Sequence, residues 1–420
     1  MMLRLSILSV AILTASAGWA QNNCLECHRE LEDDTLTPPA TAFAEDVHAA
    51  AGLTCASCHG GDPAANVDDG DYERAMDPKK GYIGVPKRSE IPQMCGRCHS
   101  DPGYMHAYDP NITVDQAAQY WTSVHGKKLR TGDEKVAECA SCHQAHGILA
   151  VKDPRAPVYP TQIPETCGSC HADASYMSSY GIPTTQLEEY KTSVHGHALF
   201  EEGDLGAPTC NSCHGNHGAA PPGVDSVARV CGTCHAIQRD LFDASPHRDA
   251  FVSLELPECE ACHGNHATTS PTDAMVGTAE GAVCIDCHSE GEDAYVTAAA
   301  IREKIETLKA AEVRAHDLVL KAGRAGMEVS EAEVTLIDAH QSLVQARNLV
   351  HTFATAPVED KVKEGLGFTR KAEEAGVAAL RELDFRRIGL ATSLLFILAM
   401  VLGLYLKIRQ IEAEERQSPP

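Results

Sequence analysis

Aromatic side chains are scarce: 8 Phe, 11 Tyr and 2 Trp in 420 residues, which excludes a large aromatic core. Basic residues are also short, with 35 Lys and Arg against 59 Asp and Glu and a formal charge of −24. That balance argues against nucleic acid as a partner. An acidic surface meets a basic protein, or serves solubility alone. Cysteine is absent after Cys287, although 18 cysteines precede that point. Residues 21–290 carry 17 basic and 39 acidic side chains and residues 291–420 carry 17 and 20, so two compositionally different segments join near residue 290.

Long apolar runs are confined to the two ends. The first begins at Leu5 and closes on Gly18-Trp19-Ala20 after Met1-Met2-Leu3-Arg4, the pattern of a secretory signal peptide over residues 1–20. The second, Ile388 to Leu406, is uncharged and flanked by Arg386, Arg387, Lys407 and Arg409. As a helix it spans roughly 28 Å, close to a bilayer's hydrocarbon thickness. The expectation is a single-pass membrane helix over 386–408 with a cytoplasmic tail at 409–420. Basic residues at both ends leave orientation to the signal, which puts the rest outside the cytoplasm.

All 18 cysteines fall in nine copies of C-x-x-C-H. Cys24 pairs with Cys27, Cys55 with Cys58, Cys95 with Cys98, Cys139 with Cys142, Cys167 with Cys170, Cys210 with Cys213, Cys231 with Cys234, Cys259 with Cys262 and Cys284 with Cys287. The trailing histidines are His28, His59, His99, His143, His171, His214, His235, His263 and His288. Two thiols on one turn of chain can form thioethers to the vinyl groups of one haem, and the next residue falls under the iron as an axial ligand. Zinc ribbons do not require that histidine and would pair an even number of motifs. Disulfides at this spacing would not staple distant segments. Nine covalent c-type haems and their iron are therefore expected over residues 21–290, with the porphyrins supplying the apolar core and short helices and loops wrapped on them.

The repeat also sorts the remaining histidines. Tyr120-Trp-Thr-Ser-Val-His125-Gly matches Tyr190-Lys-Thr-Ser-Val-His195-Gly, with Ala244-Ser-Pro-His247 and Glu45-Asp-Val-His48 as diverged copies. One leading haem and four two-haem units result. A second axial histidine makes a closed, low-spin site suited to electron transfer. His48, His125, His195 and His247 hold one equivalent place and are candidate second ligands. His146, His217 and His266 follow His143, His214 and His263 by three residues, too near in sequence to reach the opposite face of their own porphyrin, so they should bind a neighbouring one. His106 and His197 complete a set of nine, but their equivalent places hold Ser178 and Lys127. Asp62 stands where the other units carry the second spare histidine. Any catalysis would be sought at a haem left open.

These residues resemble the multihaem c-type cytochromes with doubled C-x-x-C-H motifs, over roughly residues 21–290. The resemblance implies electron passage between a membrane quinol pool or cytochrome b partner and periplasmic or outer-membrane redox proteins. Pentahaem nitrite reductases of the wider group carry a C-x-x-C-K motif, which is absent here. Hydroxylamine oxidoreductases share a helical tail. Anchored quinol dehydrogenases of the group place their membrane helix at the N-terminus, unlike this chain.

Beyond the motifs the period becomes helical. Ile301, Ile305, Leu308, Ala315 and Val319 form an amphipathic stripe, and Gly323-Arg-Ala-Gly326 breaks it. Ser330 and Glu333 have capping-box spacing, and Leu336, Leu343 and Val350 recur every seven residues. Pro357 punctuates a turn before a third helix that leads into the span. Residues 291–385 are thus expected to form a helical hairpin or coiled coil, either a spacer or a docking or oligomerisation surface, with His316, His340 and His351 as ordinary exposed residues.

The fold expected is mainly α and irregular: a haem-packed domain, a long-helix bundle and a C-terminal transmembrane helix. The function expected is electron transfer at the outer face of the cytoplasmic membrane, with no nucleic-acid partner. The alternative is a multihaem reductase acting on a small nitrogen or sulfur compound at an open haem.

Overall fold

With few apolar side chains to bury, the first two thirds of the chain must take its order from local hydrogen bonding. A computed structural model describes residues 22–66, 72–219 and 226–417; the signal peptide expected at 1–20 lies outside them. Among the described residues there are helices and irregular segments and no strands. The chain divides into two compact units, one comprising Met1–Val230 with Gly264–Thr269 and the other Cys231–His263 with Ser270–Pro420.

In the first unit, the sequence Tyr-x-x-Ser-Val-His-Gly folds the same way twice. Ser123 and Ser193 have extended backbones and cap helices Val124–Arg130 and Val194–Phe200. Each Oγ accepts from an amide, Gly126 N or Gly196 N, at 3.0 Å and donates to a carbonyl, Tyr120 O at 2.6 Å or Tyr190 O at 2.7 Å. These bonds satisfy amides that a helix N-terminus otherwise leaves unpaired. The tyrosine hydroxyls donate to Ala137 O and Pro208 O at 2.9 Å, tying each cap to the backbone just ahead of Cys139 and Cys210. A Cβ on Gly126 or Gly196 would lie 2.1 Å from the tyrosine carbonyl oxygen, so glycine is required. Tyr120, Leu129 and Val136 form one small apolar cluster, and Tyr190, Leu199 and Ala207 its counterpart.

The second unit is different in kind. Helices Asp293–Arg324 and Ser330–Asn348 pack with the start of a 63-residue helix, Thr355–Gln417. The stripe Ile301, Ile305, Leu308, Ala315 and Val319 is buried against Leu343, Ala346, Val358, Val362 and Ala372. Gly326, at φ +82°, turns the chain after the first helix. The capping box expected from Ser330 and Glu333 does not form: Ser330 is already helical, and the Glu328 carboxylate accepts from its amide instead. Pro357 sits in the first turn of the last helix, where its missing N–H costs nothing. That helix is long and apolar enough to cross a membrane, and its apolar window is wholly exposed.

Candidate haem centres

Each spare histidine of the repeat occupies the second position of a capped helix. His48 follows the cap Asp46, whose Oδ1 accepts from His48 N at 2.9 Å. His125 and His195 follow Ser123 and Ser193, and His247 follows Ser245 with Pro246 between. The motif histidines His59, His143 and His214 close five-residue helices that begin on the first cysteine, each with a capping box made by Ser57, Ser141 or Ser212. His99 and His171 end longer helices entered through the buried Pro92 and Pro164.

These elements bring imidazoles into facing pairs with a narrow range of separation. The ring centroids lie 6.0 Å apart for His48 and His99, 6.0 Å for His59 and His146, 6.1 Å for His125 and His171, and 6.1 Å for His143 and His217. They lie 5.9 Å apart for His214 and His266 and for His247 and His288. A further pair, His263 and His351, stands at 6.1 Å. Interplanar angles meanwhile run from 8° to 83°. Packing between rings would couple distance to angle, and other aromatic pairs in the chain range from 3.8 to 6.4 Å. A constant separation at any angle instead suits two rings bound to one atom between them. Two metal–nitrogen bonds of about 2 Å, each extended by roughly 1 Å to the ring centre, span about 6 Å.

The angles fall into two classes. Pairs built on His59, His143, His214 and His263 are near parallel, at 10°, 8°, 16° and 22°. Pairs built on His99, His171 and His288 are crossed, at 83°, 52° and 83°. The first class belongs to the leading motif of each two-motif unit and the second to the trailing motif.

Hydrogen bonding leaves the right nitrogen available. His59 Nδ1 donates to Gly84 O at 2.8 Å and His351 Nδ1 to Asn348 O at 3.0 Å. A carbonyl only accepts, so in both rings Nε2 carries the lone pair a metal needs. His48 Nδ1 is 2.9 Å from Asp46 Oδ1. Burial pushes the imidazoles of His99, His125, His143, His146, His171, His217, His247 and His263 below their ordinary pKa. They are held neutral near pH 7, which is the ligating form.

The cysteines interlock along the chain. Cys24 meets Cys55, Cys95 meets Cys139, Cys167 meets Cys210, and Cys231 meets Cys259, each side chain within hydrogen-bonding range of the other. Cys58 feels the charges of Cys95 and Cys98, Cys142 that of Cys170, and Cys262 those of Cys284 and Cys287. Within each unit, successive motifs are therefore spatial neighbours.

Cys27 is half-buried. Cys213 is half-buried and acts with Cys210 on the phenol of Tyr190, the anchor of the capped helix ahead of it. Cys234 is exposed, and its sulfur accepts a long hydrogen bond from Thr233 Oγ1 at 3.9 Å.

Several residues stand apart. His106 is exposed and uses Nε2 to reach Ile112 O at 3.2 Å, and His197 is exposed beside Glu201 at 3.0 Å. Neither faces a motif histidine. No imidazole among the described residues faces His28. Asp62 is held by Lys80 Nζ at 2.6 Å and accepts from Ala64 N at 3.1 Å. His316 and His340 are exposed, as expected. His351 is not the ordinary exposed residue expected: it is half-buried and paired. Arithmetic within the repeat could have found it. Each C-x-x-C-H-x-x-H unit sets its last histidine opposite a motif histidine of the preceding unit, so His263 of the final such unit, Cys259 to His266, is left to a partner from elsewhere.

Residues 133–176 and 254–293 each match the family of the doubled CXXCH motif. No curated protein and no solved structure matches the chain. The motifs indicate covalent binding of haem c, and with it electron transfer or redox chemistry.

Proposed function

We propose that this chain is a nonahaem, membrane-anchored cytochrome c that relays electrons outside the cytoplasmic membrane. The nine C-x-x-C-H motifs would attach nine haems through Cys24 to Cys287, with His28, His59, His99, His143, His171, His214, His235, His263 and His288 as first axial ligands. The observation that carries the reading is the constant 5.9–6.1 Å spacing of facing imidazoles. It supports His48, His146, His125, His217, His266 and His247 as second ligands to the centres of His99, His59, His171, His143, His214 and His288. His195 holds the same place in its helix and is assigned the same role.

Bound haem c supplies one reversible electron per iron. The protein does the rest. Paired imidazoles hold the coordination shell constant between redox states, the interlocked cysteines keep successive centres adjacent within each unit, and the acidic surroundings favour the more positive oxidised iron and lower the potentials. The signal peptide and the exposed apolar stretch of the last helix support a periplasmic domain on an inner-membrane anchor. Partners that fit are a quinol-oxidising or cytochrome b complex and a periplasmic or outer-membrane redox protein.

The test is intact mass together with electron paramagnetic resonance of the full-length protein in detergent. Nine haem additions and low-spin signals of two kinds, from parallel and crossed imidazole planes, are expected. Free thiols, or mainly high-spin iron, would refute the assignment.

A second reading rests on His28 and Asp62. His28 faces no imidazole among the described residues, and the unit that follows it carries Asp62, turned to Lys80, where the other units lend a histidine backwards. That leading centre is where a small nitrogen or sulfur compound would bind if the chain is a reductase. A single high-spin haem that shifts on adding nitrite or hydroxylamine, with turnover, favours this reading; no shift and no turnover excludes it.

A further inference from the structure

The eighth motif, Cys259 to His263, has no following unit to lend it a histidine. His351 lies in the 3-10 turn Leu349–Thr352, between the second and third long helices and 88 positions beyond His263. The geometry assigns His351 as the second axial ligand of the haem on Cys259 and Cys262, a role that rests on the nonahaem reading above.

Three observations carry it. The separation of 6.1 Å is that of the repeat pairs, and the 22° angle puts the pair with the near-parallel class, as its place in the motif order requires. The ring is half-buried, with Nδ1 donating to Asn348 O at 3.0 Å, so Nε2 carries a free lone pair. His106, by contrast, spends Nε2 on a carbonyl.

The turn is also braced from both sides. Asn348 Oδ1 accepts from Gln238 Nε2 at 2.9 Å, and Arg347 grips the buried Asp273 at 2.7 and 2.9 Å. Phe353, at φ +52°, lays its ring 3.8 Å from that of His247. One turn of the haem-free tail thus touches the ligand sets of both the eighth and the ninth motifs. The tail is then part of the redox centre and not a detachable spacer.

The experiment is His351→Ala in the full-length protein, with His340→Ala as the control on an exposed histidine. Expected in His351→Ala are nine attached haems, one converted from low to high spin, one additional carbon monoxide bound per reduced molecule, and recovery of the low-spin signal with free imidazole. An unchanged spin state and carbon monoxide stoichiometry, with nine haems attached, overturns the inference and leaves the nonahaem reading standing. A haem count other than nine in the unmutated protein fails that reading instead. Should His351→Ala not accumulate, His351→Met keeps a ligand at the site. One potential should then rise, because methionine ligation favours the reduced iron. A titration identical to that of the unmutated protein overturns the inference.

Discussion

Ser123 offers a quantitative test of how the fold holds His125, a proposed axial ligand. Its hydroxyl donates to Tyr120 O at 2.6 Å and accepts from Gly126 N at 3.0 Å, both in a buried setting. Alanine removes the helix cap and leaves the buried Gly126 amide unpaired, together costing up to about 2 kcal/mol, while Tyr120 O keeps the Ser123 amide at 3.0 Å. The total of about 2 kcal/mol is a roughly 30-fold shift in an equilibrium. That shift falls on the helix start that sets His125 6.1 Å from His171. Carbon monoxide binds ferrous haem only where the sixth position is free, so on the nonahaem reading the uptake rate at one haem should rise about 30-fold in Ser123→Ala, by stopped-flow. Ser123→Asp should restore the slow rate, because Asp46 performs the same capping ahead of His48 in the first unit. Unchanged uptake in Ser123→Ala, or equal acceleration in Ser123→Asp, would refute the claim that the cap holds the ligand.

Two further outcomes follow from the packing. Gly126→Ala, whose Cβ would meet Tyr120 O at 2.1 Å, should destabilise by about 1–3 kcal/mol, whereas Gly367→Ala, with nothing within 4 Å of its Cβ, should stabilise by up to about 1 kcal/mol; thermal melts followed by circular dichroism check both signs. Asp273 is buried between Arg347 and Lys309, and their cationic hydrogen bonds pull its carboxyl from 3.8 down to about 2, against the opposing effect of burial. Its folded-state pKa is lowered, so its stabilisation is complete above about pH 4 and is lost as pH falls toward about 2. The half-exposed cations reduce its size to about 1–2 kcal/mol. Asp273→Asn should therefore melt lower than the unmutated protein at pH 6, with the difference shrinking toward pH 3.

Much of this was readable in the residues because repetition makes local chemistry visible. Tyr-x-x-Ser-Val-His-Gly stands out as a copied string, and three of its positions have a structural reason: a hydroxyl anchor, a cap and a glycine under a carbonyl, with the histidine that is the proposed ligand held between them. The bundle was equally legible, since Ile301, Ile305, Leu308, Ala315 and Val319 are buried at the helical period that announces them. His351 was hidden because its partner is far away in sequence and its own surroundings carry no attachment motif. The failed capping box at Ser330 shows the converse: correct spacing does not form a cap when Glu328 reaches the amide first. His106 and His197 counted correctly as spare imidazoles, but number alone does not say which nitrogen is spoken for.

The 63-residue helix sets a scale of its own. It starts at Thr355, four positions past His351, and reaches the uncharged stretch at Ile388 after a climb of about 50 Å along its axis. With the uncharged stretch in a membrane, as proposed, the turn that holds His351 would stand too far from the lipid for a single electron hop from a donor within it. On the nonahaem reading, a donor serving the eighth and ninth motifs would have to reach that height or diffuse to it.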